Sequence, residues 1–165
     1  MHQHEPQRAA PAETLKLDQL QRDLLFSLIG DFVVAAPQSA GREAYVALEA
    51  AVAKMEVPPE LVPSIGAIAE VALSTGRLRS MFGPAAELAL SALFRKTPRG
   101  EAIVGSMHEL NRALAKFTGQ PLGEISAAFR KPGVYALTIS SGEYRIVVRF
   151  DHDGAAIESV ETGAS

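Results

Sequence analysis

Asp151, His152, Asp153 and Gly154 stand together as DHDG, and carboxylates beside an imidazole can tune its pKa or offer ligands to a metal. The quartet lacks the third alternate acid and the distant Glu of a calcium loop, and Asp-Gly between two extended runs already makes a turn. His108 sits in SMHELNRALAKF beside Glu109, Asn111 and Arg112, on what reads as the solvated face of a helix. Ser106 and Ser126 have no Gly-rich elbow around them, so no hydrolase triad can be built. GEAIVGS carries the outer glycines of a phosphate loop at Gly100 and Gly105, but Met107 follows Ser106 where the motif needs its polar pair, and no strand precedes it. His2 and His4 do not close a coordination set by themselves. With no cysteine in the chain, thiolate nucleophiles, Cys-based metal sites and disulfides are excluded. No catalytic residue, cofactor or metal ligand is expected, and the reading leans away from an enzyme.

Charge is the stronger signal. The net charge is −3, yet residues 1–76 hold 5 Lys/Arg against 10 Asp/Glu, residues 77–131 hold 9 against 4, and residues 132–165 hold 2 against 5. The nine cations of the middle segment, Arg77, Arg79, Arg95, Lys96, Arg99, Arg112, Lys116, Arg130 and Lys131, are the candidate contacts for an anion or a partner. A nucleic-acid surface would need them on one face with stacking aromatics, and the nearby Phe94, Phe117 and Phe129 read as core. An acidic surface docking on a basic one, within a fold or between two copies, is equally physical and is the favoured reading.

Two of these cation pairs sit in a repeated phrase, SALFRKTPRG from Ser91 and SAAFRKPG from Ser126. In the first, Lys96 ends a helix, Thr97 is a good N-cap and Pro98 suits the first position of the next helix. In the second, Arg130 and Lys131 are expected to close a short helix beginning near Pro121, with Pro132-Gly133 forbidding its continuation. Nothing matches a further 35 residues upstream, which argues against a solenoid.

The elements that must position these residues follow from periodicity. Leu17, Leu20, Leu24, Leu28 and Phe32 recur at helical spacing, so a helix is expected from about Leu15 to Ala35. Ser39 as N-cap, the face Tyr45, Leu48, Val52 and Met55, and the stop Val57-Pro58-Pro59 define a second. PELVPSIGAIAEVALSTG and GPAAELALSALFRK read as apolar helices at the centre of a bundle, joined by the short basic RLRSMFG. Ile103, Met107, Leu110, Leu114 and Phe117 mark another long helix ending at Gly119. After Gly133 the period becomes two. Tyr135, Leu137 and Ile139, then Tyr144, Ile146, Val148 and Phe150, share single faces, and the third strand is weaker because Ile157 and Val160 differ in parity, which predicts a bulge or an exposed edge.

The fold class expected is α+β, a bundle of about five helices over residues 13–131 followed by a three-stranded antiparallel meander over 133–162. Residues 1–12 read as a disordered tail and 13–165 as one domain. No run reaches the 18 apolar residues of a membrane span and the N-terminus has no signal-like stretch, so a cytoplasmic location is expected. The expected function is a non-catalytic protein-interaction or self-assembly module, with a homo-oligomer or another protein as partner. The alternatives are polyanion or nucleic-acid binding through 77–131, and a hydrophobic ligand held among the helices.

Overall fold

The computed structural model describes residues 13–35 and 41–163, which are α+β with six α-helices and a C-terminal antiparallel sheet of four strands. The chain divides into two compact units, Met1–Gly100 and Glu101–Ser165. The tail 1–12 and the proposed cap Ser39 lie outside the described residues.

The first unit is helical. Its entry strand β1 (Leu15–Lys16) pairs antiparallel with β2 (Glu56–Val57), and α1 (Gln19–Ala35) therefore begins four residues later than its leucine spacing predicts. The reason is local. The Asp18 carboxylate accepts the Gln21 N–H at 2.8 Å, and the Gln21 side chain accepts the Asp18 N–H at 3.0 Å. This reciprocal capping box fixes the helix start. Leu15 and Leu17 are buried with Lys16 exposed between them, the alternation of a strand. On the surface of α1 the Arg22 guanidinium, then the Gln19 amide, hold the Asp23 carboxyl below its ordinary value.

Helix α2 (Gly41–Ala53) stops short of the expected Val57-Pro58-Pro59, because Met55 turns into the left-handed region at φ 57° and releases Glu56–Val57 to pair with β1. After a single 3-10 turn, α3 (Val62–Ser74), α4 (Arg77–Phe82) and α5 (Pro84–Phe94) follow, with Gly76 and Gly83 at positive φ between them. Leu25, Ile29, Leu48, Val52, Ile65, Leu90 and Leu93 are sealed in the common core.

Helix α6 (Pro98–Leu114) leaves α5 through the first copy of the repeated phrase. Thr97 is completely buried; its hydroxyl donates to the Phe94 carbonyl at 2.7 Å and accepts the Gly100 N–H at 3.2 Å. A Cβ on Gly100 would collide with the Phe94 carbonyl, so this tight corner requires glycine. Here the expected helix stop and N-cap are both present.

The second copy is different. Residues Leu122–Lys131 form strand β3, not a helix, and the helical region ends with a 3-10 turn at Ala115–Phe117. The sheet therefore has one strand more than the expected meander. Pro132 and Gly133, the latter at φ 77°, join Lys131 to its partner Val134 as a two-residue hairpin turn, so Arg130 and Lys131 cap no helix. Strands β4 (Val134–Ser141), β5 (Tyr144–Asp151) and β6 (Gly154–Thr162) complete the order β3-β4-β5-β6. The expected irregularity of the last strand is present: Val148 faces Ile157 while Val147 faces Ser159, which leaves Glu158 as the extra residue of a bulge.

Candidate interaction surface on the sheet

Three cross-strand rows cover one face of the sheet. Ile125, Ile139, Ile146 and Val160 make the first, Ala127, Leu137, Val148 and Ile157 the second, and Phe129, Tyr135, Phe150 and Ala155 the third. Such rows are the units by which a sheet gains side-chain stabilisation. On this face the apolar stripe of α6, with Met107, Leu110, Ala113 and Leu114, joins Phe117 in packing on Ile139, Ile146, Val148, Ala155 and Ile157. That cover reaches β4, β5 and β6. It does not include β3.

Every residue of β3 is exposed. Ile125 and Phe129 stand 61% and 65% exposed, with Leu122 at 52% and the neighbouring Tyr135 at 54%. Phe129 was expected in the core; instead its ring meets Tyr135 edge-on, centroids 6.0 Å apart, on the bare part of the face. The physical reason is that its strand lies at the sheet edge beyond the reach of the helix cover. Phe94 and Phe117 are partly buried against cores, as expected.

The open edge also presents backbone. The Glu124 N–H points toward β4, where it donates to the Ser140 hydroxyl at 3.1 Å. In an antiparallel ladder the direction alternates, so the N–H and C=O groups of Ile125, Ala127 and Phe129 point away from the sheet. Gly123 and Arg130 have no partner residue on β4 and mark bulges at the two ends of the strand, leaving Glu124–Phe129 as its regular segment. On the polar face, Glu124 accepts the Ser126 hydroxyl at 2.7 Å, and Arg130 approaches Glu158 at 3.7 Å.

The nine candidate cations fall in both units. In the helical unit, Arg79 pairs with Glu87 at 3.7 Å and Arg99 with Glu70 at 3.3 Å, while Arg77, Arg95 and Lys96 are exposed. In the sheet unit, Lys116 lies 5.7 Å over the Tyr144 ring, Arg130 faces Glu158, and Arg112 and Lys131 are exposed. Among the described residues, four of the nine thus meet an acid or a ring.

The other chemistry-bearing residues are placed as follows. The ligand atoms of Asp151, His152 and Asp153 lie within 4.8 Å of one another. Asp151 is already engaged, since it accepts the Asp153 N–H at 2.8 Å and meets Arg149 at 3.0 Å, while His152 approaches Asp153 at 3.3 Å. This is the geometry of the β5–β6 turn. His108 is exposed on α6, and the Ser106 hydroxyl donates to the Ile103 carbonyl at 2.9 Å.

A second concave surface lies in the helical unit. A cavity of about 410 Å³ is lined by Leu28, Phe32, Val71, Leu78, Met81 and Phe82, with Asp31, Thr75 and Arg77 supplying polar groups. A neighbouring one of about 290 Å³ shares Phe32 and Val71 with it and extends to Tyr45, Leu48 and Ile68. Sequence periodicity showed these helices as apolar but gave no means of telling a filled interior from a groove.

No family model matches the chain, and comparison with curated proteins and with solved structures finds none similar to it.

Proposed function

We propose that the protein is a non-catalytic interaction module that assembles through strand β3 of its sheet. The observation that carries this reading is an edge strand exposed along its whole length, whose apolar residues Leu122, Ile125 and Phe129 continue a packed sheet face past the helix that covers it. Unpaired edge groups beside apolar side chains are a template for another strand, and monomers ordinarily blunt such edges with charges, bulges or a covering helix. Here the bulges and charges stand at the ends of β3 and the middle is open.

The full chain is expected to sediment above its 17.5 kDa monomer mass, with the associated fraction rising with concentration. Ile125→Lys combined with Phe129→Lys, both on exposed positions, should return it to monomer mass with little change in circular dichroism or melting temperature. A wild-type chain that stays monomeric, and binds no protein through this edge, would contradict the reading.

A second reading rests on the paired cavities of the helical unit, whose lining suits the chain of an amphipathic ligand with Arg77 near a carboxylate head. It concerns a different surface and stands or falls separately.

A further inference from the structure

We infer that two copies of the chain join through β3, antiparallel and two-fold symmetric about Ala127, to make one continuous eight-stranded sheet from their two four-stranded ones. The inference rests on the assembly through β3 proposed above, and adds the partner and the register.

Parity limits the choice first. An antiparallel pairing that keeps both apolar faces on the same side must set odd residues opposite odd ones, because a slip by one residue turns every side chain to the other face. Of the two-fold centres within the straight segment, those at Ser126, Ala127 and Ala128 lie nearest its middle. About Ala127, Ile125 lies opposite the partner's Phe129, Ala127 meets the partner's Ala127, and Glu124 comes beside the partner's Arg130 at both ends. Apolar residues then meet apolar ones on one face and opposite charges meet on the other. About Ser126, Glu124 would face the partner's Ala128 and Gly123 the partner's Phe129. About Ala128, Ser126 would face the partner's Arg130 and Ile125 the partner's Lys131. Both alternatives lose the charge pairs and the contact between Ile125 and the partner's Phe129.

Backbone direction favours the same centre. The outward N–H and C=O groups belong to Ile125, Ala127 and Phe129, so centring on Ala127 makes all three opposed pairs hydrogen-bonded ones. Pro121 and Pro132 bound the strand, and the bulges at Gly123 and Arg130 end its regular backbone pairing, so beyond this window only the Arg130 side chain reaches the partner. Sliding by two residues would push a paired position into a bulge. The Arg130 contact with Glu158 is long and exposed, so little is lost when the guanidinium exchanges it for the partner's Glu124.

The test uses the full chain and two kinds of variant. Glu124→Arg alone, or Arg130→Glu alone, sets like charges against each other at both ends and should weaken self-association roughly tenfold. The two single variants mixed together restore both pairs and should associate about as well as the wild type; so should the double swap in one chain. Because the sequence has no cysteine, Ala127→Cys gives a single thiol on the axis, where a hydrogen-bonded pair holds its Cα atoms about 5.5 Å apart, within the range of a disulfide. It should oxidise to a covalent dimer much faster than Ser126→Cys or Ala128→Cys. Association that ignores both charge changes, or cross-links best through Ser126→Cys or Ala128→Cys, would overturn this register while leaving assembly intact. A chain monomeric at every concentration would overturn both. Circular dichroism of each variant separates loss of pairing from loss of fold.

Discussion

Thr97 shows what one residue decides in this chain. The two copies of the repeated phrase differ at Leu93 against Ala128, at Arg99, which the second lacks, and at the turn itself, where the first reads Lys96-Thr97-Pro98 and the second Lys131-Pro132-Gly133. With the threonine, a hydroxyl is available to take the Gly100 N–H and the chain turns from one helix into the next. Without it, proline follows lysine directly, glycine takes positive φ, and a hairpin results. Thr97→Val keeps the shape but removes both hydrogen bonds from a fully buried position, and should cost about 1–2 kcal/mol of stability by chemical denaturation. Thr97→Ser retains the hydroxyl and should cost less. Equal stability of Thr97→Val and wild type would show that the corner is held by packing with Gly66, on which a Cβ would press against the Thr97 side chain, and not by the cap.

At the scale of elements, helices with long apolar periods were legible because the core selects one face and the spacing records it. The stops Gly83-Pro84 and Gly119, and the alternation of β4 and β5, were legible for the same reason. Strand β3 was not. Glu124, Ala127 and Ala128 are residues that helices accept readily, and what makes the segment a strand is its ladder with β4, a tertiary effect that overrides propensity. One signal was present: Ile125, Ala127 and Phe129 alternate before a two-residue Pro-Gly, and an alternating run follows it, which is a hairpin pattern. The capping pair Asp18 and Gln21 was likewise readable and places the start of α1 more accurately than the leucine spacing does. The groove of the helical unit belongs to this scale too, since it lies where α1, α3 and α4 meet incompletely. If it holds an amphipathic chain, decanoate at about a hundred times its dissociation constant should add about 2.7 kcal/mol of stability to the wild type. Val71→Arg, at the half-exposed residue shared by both cavities, should abolish that gain. No gain in the wild type would dismiss the ligand.

For the whole molecule, composition and charge indicated a folded chain without distinguishing one part of its surface from another. The uneven charge pointed to complementarity, but counting by segments could not show that an acid and a cation, Glu124 and Arg130, stand six residues apart on one exposed strand. Nor could it show that, among the described residues, four of the nine cations of the middle segment meet an acid or a ring. Among the described residues no helix is long and apolar enough to cross a membrane, so the exposed apolar strip on β3 is not part of a helical span. Its coverage by another strand is the central claim, and amide hydrogen exchange resolved along β3 tests it most directly. The amides of Ser126 and Ala128, directed at β4 by the alternation that begins with Glu124, should be protected at every concentration. The amides of Ile125, Ala127 and Phe129 should exchange freely in dilute protein and become protected as concentration rises through the association range. If those three exchange as unbonded backbone even where the chain is most concentrated, the edge stays open and the account is wrong.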